Sequence, residues 1–301
     1  MEDFDNEEKR SKKAVEVTKF PVPAKFSIDI KKNNIVITTN IPLEISKEEI
    51  INQAFEFHSQ GKISEAAKYY RYFIDQGFED FRVFSNFGTI FKGLGQLKEA
   101  ELLQRKAIEL KPDFAEAHSN LGNILSELGR LQESELSLRK AIEFNPDFAD
   151  AYSNLGTILK NQGKLKEAEI STRRAIELSP DFSLAYSNLG NILKDLGQLQ
   201  EAEISQTKAI ELNPNFAEAH CNLGNILIDL GQLQEAEVSQ RKAIELKPDF
   251  SESHNNLAHL LLKQMKFKEG WEHFEWRWAL NQRDKSIGKK LVTSKPEWLP
   301  M

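Results

Sequence analysis

Three observations predict an all-α solenoid of about seven stacked helix–turn–helix units. The first is a strict period: Asn52, Asn86, Asn120, Asn154, Asn188, Asn222 and Asn256 stand 34 residues apart. The second is apolar spacing of helical type within each period. The third is punctuation, with Gly61, Gly95, Gly129, Gly163, Gly197 and Gly231 in one register and Pro112, Pro146, Pro180, Pro214 and Pro248 in another. A single pair of such helices cannot bury its apolar face alone, so the pairs must stack.

Along the chain, residues 1–18 are charged and aperiodic and are expected to be disordered. Residues 19–45 read as an extended segment. Within it, "KFSIDIKKNNIVITT" (25–39) alternates apolar and polar residues about a KKNN turn, the pattern of a small β-hairpin. Ser46 and Glu49 then form a capping box that starts the first helix. The array is expected over 46–285, with repeats near 47–80, 81–114, 115–148, 149–182, 183–216, 217–250 and 251–284, and a tail over 286–301.

Residues 116–148 show the logic of one unit. His118, Leu121, Gly122 and Leu125 fall at i, i+3, i+4 and i+7, one apolar stripe on a first helix. Gly129 supplies the left-handed residue that ends it. A second helix from about 131 to 144 turns Ser134, Ala141 and Ile142 inward, and Pro146 prevents its continuation. Phe148 is placed to plug the joint with the next pair. Gly122 and Ala141 are small where the helices approach, and the glycine costs up to about 1 kcal/mol of helix propensity that close packing must offset.

These residues resemble the tetratricopeptide repeat: an aromatic-type residue, Leu-Gly, a turn glycine, small residues on the second helix and a closing proline. The resemblance covers about residues 47–284. It implies a right-handed superhelix whose first helices line a concave groove. Departures fall where caps are expected: Ala54 replaces a glycine and no proline closes the first repeat, and Ala258 and Met265 replace glycines in the last. The second helices also carry Gln104, Thr172, Gln206 and Gln240 where the family favours a large apolar or aromatic residue. Leu102, Leu136, Ile170, Ile204 and Val238 form an apolar row nearly opposite. Either the helices rotate to bury that row, or it forms a lateral contact surface.

On a first helix, Glu116, Ser119, Asn120, Asn123 and Glu127 cluster opposite the apolar stripe. A carboxamide there accepts from a peptide N–H and donates to a peptide C=O, so it can grip an extended backbone without reading its side chains. The same ladder is known in the tetratricopeptide half of O-linked N-acetylglucosamine transferase, which these repeats resemble. The candidate peptide-binding residues are therefore Asn86, Asn120, Asn154, Asn188, Asn222 and Asn256, with Asn123, Asn191 and Asn225 as a second row broken by Thr89, Thr157 and His259. The competing expectation is that the amides bond a neighbouring helix. Glu116, Asp150, Glu218 and Glu252 near helix starts, and Lys92, Lys160 and Lys194 near helix ends, are the charges available to select a partner. Family members that clamp a terminal carboxylate place lysines and an arginine beside the asparagines. Here Ser85, Ser119, Ser153, Ser187 and Cys221 precede them, and the clamp is missing.

Other functions find little support. A net charge of −6 argues against a general nucleic-acid binder. The single cysteine, Cys221, excludes an intrachain disulfide and suits a reducing compartment. No secretory signal and no membrane-length apolar run is present, so a soluble, cytoplasmic protein is expected. His118, His220 and His254 occupy the aromatic slot of their repeats; no metal site, cofactor or catalytic set is expected. The C-terminal stretch "GWEHFEWRWALNQRD" reads as a cap using Trp271, Phe274 and Trp278. With "KPEW" after it, it also resembles the junction at which bacterial tetratricopeptide arrays enter a glycosyltransferase-like domain. Only three residues follow Trp298, too few for such a domain. Two functions follow: a scaffold binding an extended polypeptide, or the recruiting arm of a glycosyltransferase whose catalytic domain stands in cis or trans. The oligomeric state is left open.

Overall fold

The computed structural model describes residues 46–274, which form fourteen α-helices and no strand. The charged N-terminus, the hairpin expected at 25–39, Trp278 and the 286–301 tail lie outside the described residues. The chain divides into two compact units between Glu79 and Asp80.

The first unit holds α1 (Lys47–Ser59) and α2 (Ile63–Asp75). The expected capping box is present: the Ser46 hydroxyl accepts from the Glu49 backbone N–H at 3.3 Å, and Glu49 accepts from the Ser46 N–H at 2.8 Å. Ile50, Ile51, Ala54, Tyr70 and Phe73 are buried between the two helices, with Ala54 in the place glycine takes elsewhere.

The second unit stacks six pairs: α3 (Phe81–Gly93) with α4 (Leu97–Leu110), α5 (Ala115–Glu127) with α6 (Leu131–Phe144), and α7 (Ala149–Asn161) with α8 (Leu165–Leu178). There follow α9 (Ser183–Asp195) with α10 (Leu199–Leu212), α11 (Ala217–Asp229) with α12 (Leu233–Leu246), and α13 (Ser251–Lys263) with α14 (Phe267–Phe274). Each second helix also packs on the next first helix, and consecutive first helices touch side by side. The result is a solenoid whose core is built between successive pairs, as where Leu138, Leu159 and Ile192 of three consecutive pairs share one cluster.

The punctuation acts as the sequence predicts. Gly129 has φ +77° and ends α5, and the Arg130 N–H closes back on the Leu125 carbonyl at 2.9 Å. The residue before each closing proline is pushed out of the helical region, as at Asn145, with φ −137° and ψ 90°. In the last pair Met265 takes the turn-glycine position at φ +61°, the one non-glycine among the described residues with positive φ. Its side chain is 77% exposed, so no packing compensates. Met265→Gly is expected to stabilise the last pair by about 0.5–1 kcal/mol, less than the full left-handed penalty because glycine also loosens the unfolded chain. The urea midpoint of unfolding measures it.

The second helices do not rotate. Leu102, Leu136, Ile170, Ile204 and Val238 stay 44%, 60%, 71%, 69% and 69% exposed. Gln104, Thr172, Gln206 and Gln240 are instead fully buried. The reason lies across the pair. A Cβ on Gly88, Gly190 or Gly224 would fall within 3.0 Å of the glutamine amide, so the bare glycine makes the room that each glutamine fills. Leu138 fills the same space over Gly122. The C-terminal cap also departs from expectation: Trp271 packs edge-on against Phe274 at 5.4 Å but is 47% exposed, and the buried residue of α14 is Gly270, pressed on Leu262.

A candidate peptide-binding face

The helices α3, α5, α7, α9, α11 and α13 present their asparagines on one side of the second unit. Asn86, Asn120, Asn154, Asn188, Asn222 and Asn256 are all half-buried, as are Asn123, Asn191 and Asn225. The residue before each first-row asparagine from Asn86 to Asn222 does not share that face. Ser85, Ser119, Ser153, Ser187 and Cys221 are buried, because the next first helix packs over them.

That burial gives the amides a structural partner. Asn188 Nδ2 donates to Ser153 Oγ at 3.0 Å, Asn222 Nδ2 to Ser187 Oγ at 3.3 Å, and Asn120 Nδ2 to Ser85 Oγ at 3.5 Å. Asn256 Nδ2 reaches Cys221 Sγ at 3.6 Å and Asn225 Oδ1 at 2.8 Å. Each of these asparagines bonds to the preceding repeat through its nitrogen. Its Oδ1 has no partner among the described residues, so it is the oxygen that is offered outward. Asn86, Asn123 and Asn154 make no side-chain bond among the described residues. In the second row, Asn191 Oδ1 accepts from Gln206 Nε2 at 3.1 Å and Asn225 Oδ1 from Gln240 Nε2 at 2.9 Å. The hydroxyls of Thr89 and Thr157 fold back onto Ser85 and Ser153 carbonyls of their own helices, and His259 stacks edge-on against Phe274. Asn52 is exposed in the first unit.

The sequence reading missed the buried glutamines as the backing of this face. A usable signal exists: Gly190-Asn191 and Gly224-Asn225 are each followed by a glutamine sixteen positions after the glycine. Gly122-Asn123 is followed there by Leu138.

Charge on the face is uneven. Lys92, Lys160 and Lys194 pair with Glu127, Asp195 and Asp229 of the next repeat at 3.1, 3.2 and 3.4 Å, and Glu218 pairs with Lys247 at 3.1 Å. Glu116, Asp150 and Glu252 have no ion pair among the described residues, which leaves the helix-start edge acidic.

Burial pushes the Cys221 thiol up to about 11, so the thiol form persists at neutral pH. His118, His220 and His254 serve packing: the ring Nε2 of each donates to the carbonyl of Pro112, Pro214 or Pro248 at 2.9, 3.1 and 2.9 Å. Burial holds His118 below the ordinary histidine value of 6.5, despite its bond to Pro112. Its folded pKa lies below its unfolded one, so the stabilising neutral form is fully present above about 6.5 and lost as pH falls. His273, lowered first by burial and then by His254 and Arg241, adds in the same direction. The melting temperature is expected to fall between pH about 7.5 and about 5. His118→Tyr, copying Tyr152 and Tyr186 of the same slot, will shrink that fall. Among the described residues no cluster of His, Cys, Asp and Glu could hold a metal, and no helix is long and apolar enough to cross a membrane.

Comparison with known families is consistent along the array. Models of the TPR repeat match residues 88–129, 122–163 and 224–264, and further models described as the tetratricopeptide repeat match 149–182, 184–216 and 206–238. No curated protein matches the chain significantly. Solved structures share the fold. PilF of Pseudomonas aeruginosa is 19% identical with a TM-score of 0.58, over 69% of this chain and 93% of that one. TTC0263, a TPR protein of Thermus thermophilus, is 21% identical with a TM-score of 0.54, over 61% of this chain and all of that one. YrrB, described as a TPR protein with an unusual peptide-binding site, is 26% identical with a TM-score of 0.48, over 62% of this chain and 97% of that one.

Proposed function

Because this chain belongs to the tetratricopeptide-repeat family, we propose that it is a protein-interaction scaffold that holds an extended polypeptide along its asparagine-lined face. The observation that carries the reading is the outward amide oxygen of Asn120, Asn188, Asn222 and Asn256, each fixed by an inter-repeat bond through nitrogen. A peptide lying across these helices gives its N–H groups to that row. Each bond nets roughly 0.5–1.5 kcal/mol. After the cost of ordering the peptide, affinity is on the order of micromolar. The unpaired Glu116, Asp150 and Glu252 then favour a segment carrying lysine or arginine.

A photo-crosslinking amino acid at Thr157, on the first-helix face, tests this in the source cells against the same group at Ile170, on the outer helices. Polypeptide adducts are expected from position 157. Adducts from position 170 alone, or from neither, would sink the proposal.

A second reading, a glycosyltransferase arm with its catalytic domain in cis or trans, rests on the aromatic junction from Trp271 to Trp298. Only Trp271–Phe274 of it lies among the described residues, and the matched family models are all of the repeat. Immunoblotting the native protein tests it: a band tens of kilodaltons above 34.4 kDa favours a catalytic domain in cis, and an immunoprecipitate without transferase activity counts against both arrangements.

A further inference from the structure

Gln206 and Gln240 sit with no exposed surface directly behind the binding face, each over a glycine of the facing helix. Both amide hydrogens of each are committed. Gln206 Nε2 donates to the Ser187 carbonyl at 2.9 Å and to Asn191 Oδ1 at 3.1 Å. Gln240 Nε2 donates to the Cys221 carbonyl at 3.0 Å and to Asn225 Oδ1 at 2.9 Å. The backbone carbonyl can only accept, so it fixes which end of the glutamine faces it. The glutamine nitrogen in turn fixes the asparagine, because a flipped Asn191 would set two NH2 groups against each other. The cost of this arrangement is visible: Gln206 Oε1 and Gln240 Oε1 are buried with no partner.

Resting on the binding role of this face, we propose that Gln206 and Gln240 are positioning residues that lock Asn191 and Asn225 with oxygen inward and NH2 outward. The C-terminal stretch of the face then has a fixed polarity. Its first row (Asn188, Asn222, Asn256) shows acceptor oxygens, and its second row (Asn191, Asn225) shows donors only. The segment seated there is an extended backbone that turns N–H groups to the first row and carbonyls to the second. Asn123 stands in the same second row but is backed by Leu138, so its amide is free to turn. The anchor of the bound chain is therefore on α9, α11 and α13, where the amides are already set and less ordering is needed on binding.

The test uses the full chain labelled with 15N at asparagine. In the free protein, the side-chain NH2 groups of Asn191 and Asn225 are expected to be nearly as ordered as rigid backbone, about 0.8 in order parameter, and that of Asn123 below about 0.6. The double variant Q206L/Q240L should release Asn191 fully and Asn225 in part, because Asn256 Nδ2 still donates to Asn225 Oδ1 at 2.8 Å. It should not unfold the array, since Leu138 already occupies the equivalent place. Conversely, L138Q should order Asn123. Mobile Asn191 and Asn225 in the unaltered protein, or an Asn123 that L138Q leaves mobile, would overturn the lock. For binding, the probe is an equimolar pool of random 12-residue peptides, titrated while the asparagine amides are followed. Affinity is expected to fall about tenfold in Q206L/Q240L, the equivalent of about 1.4 kcal/mol over two rungs. Equal affinity in both proteins overturns the lock and leaves the binding face standing. A pool that shifts no asparagine amide of the unaltered protein, with Asn191 and Asn225 ordered, refutes the binding face and with it this role for the glutamines.

Discussion

Alanine at Asn188 and Asn222 together will weaken peptide binding about 5- to 150-fold while lowering the unfolding free energy by a similar amount, about 1–3 kcal/mol. The stability part comes from the two bonds lost to Ser153 and Ser187, at 3.0 and 3.3 Å between half-buried and buried groups. The serine hydroxyls left behind are buried, which sets the upper end of the range. The binding part is larger relative to what is available: two of the best-placed oxygens of a micromolar site disappear, and no neighbouring acceptor replaces them. Titration with the random peptide pool reads the first effect and urea unfolding the second. A loss of several kcal/mol in stability with binding intact would make the amides structural alone.

Phe87→Ala will have the largest effect on stability of any single change considered, about 3–5 kcal/mol. Phe87 is 1% exposed and stacks edge-on against Phe91 at 4.7 Å, inside the pair α3–α4. Because each pair touches chiefly its neighbours, the loss should appear first as local opening of residues 81–110, with the pairs further along retaining their amide protection. Hydrogen exchange resolved along the chain measures this. Uniform loss of protection from 81 to 274 would show instead that the second unit unfolds as one.

The period, the pairing of helices, their ends and the family were all legible in the order of residues. Those features repeat, and each rests on local chemistry: a glycine at positive φ, a proline that forbids a helical predecessor, apolar residues at helical spacing. Nothing distant need be known to read Gly129 or Pro146. The gathering of the asparagines on one side of the first helices was equally legible, since angular position on a helix follows from spacing alone.

What each amide does depends on packing between helices. Ser119 and Ser153 lie on the polar side of their own helices by spacing, yet they are buried, because a helix 34 residues later in the chain covers them. The glutamines show the same dependence more strongly. Their row was legible as polar residues at an apolar position, and an opposite apolar row invited the inference of a rotated helix. The helix does not rotate because a glycine on its partner leaves room for a carboxamide, and a backbone carbonyl beyond it supplies the acceptor. Periodicity reports which face a residue takes on its own helix. It carries no information on which atoms of another helix wait opposite, and hydrogen bonds between helices are settled by those atoms.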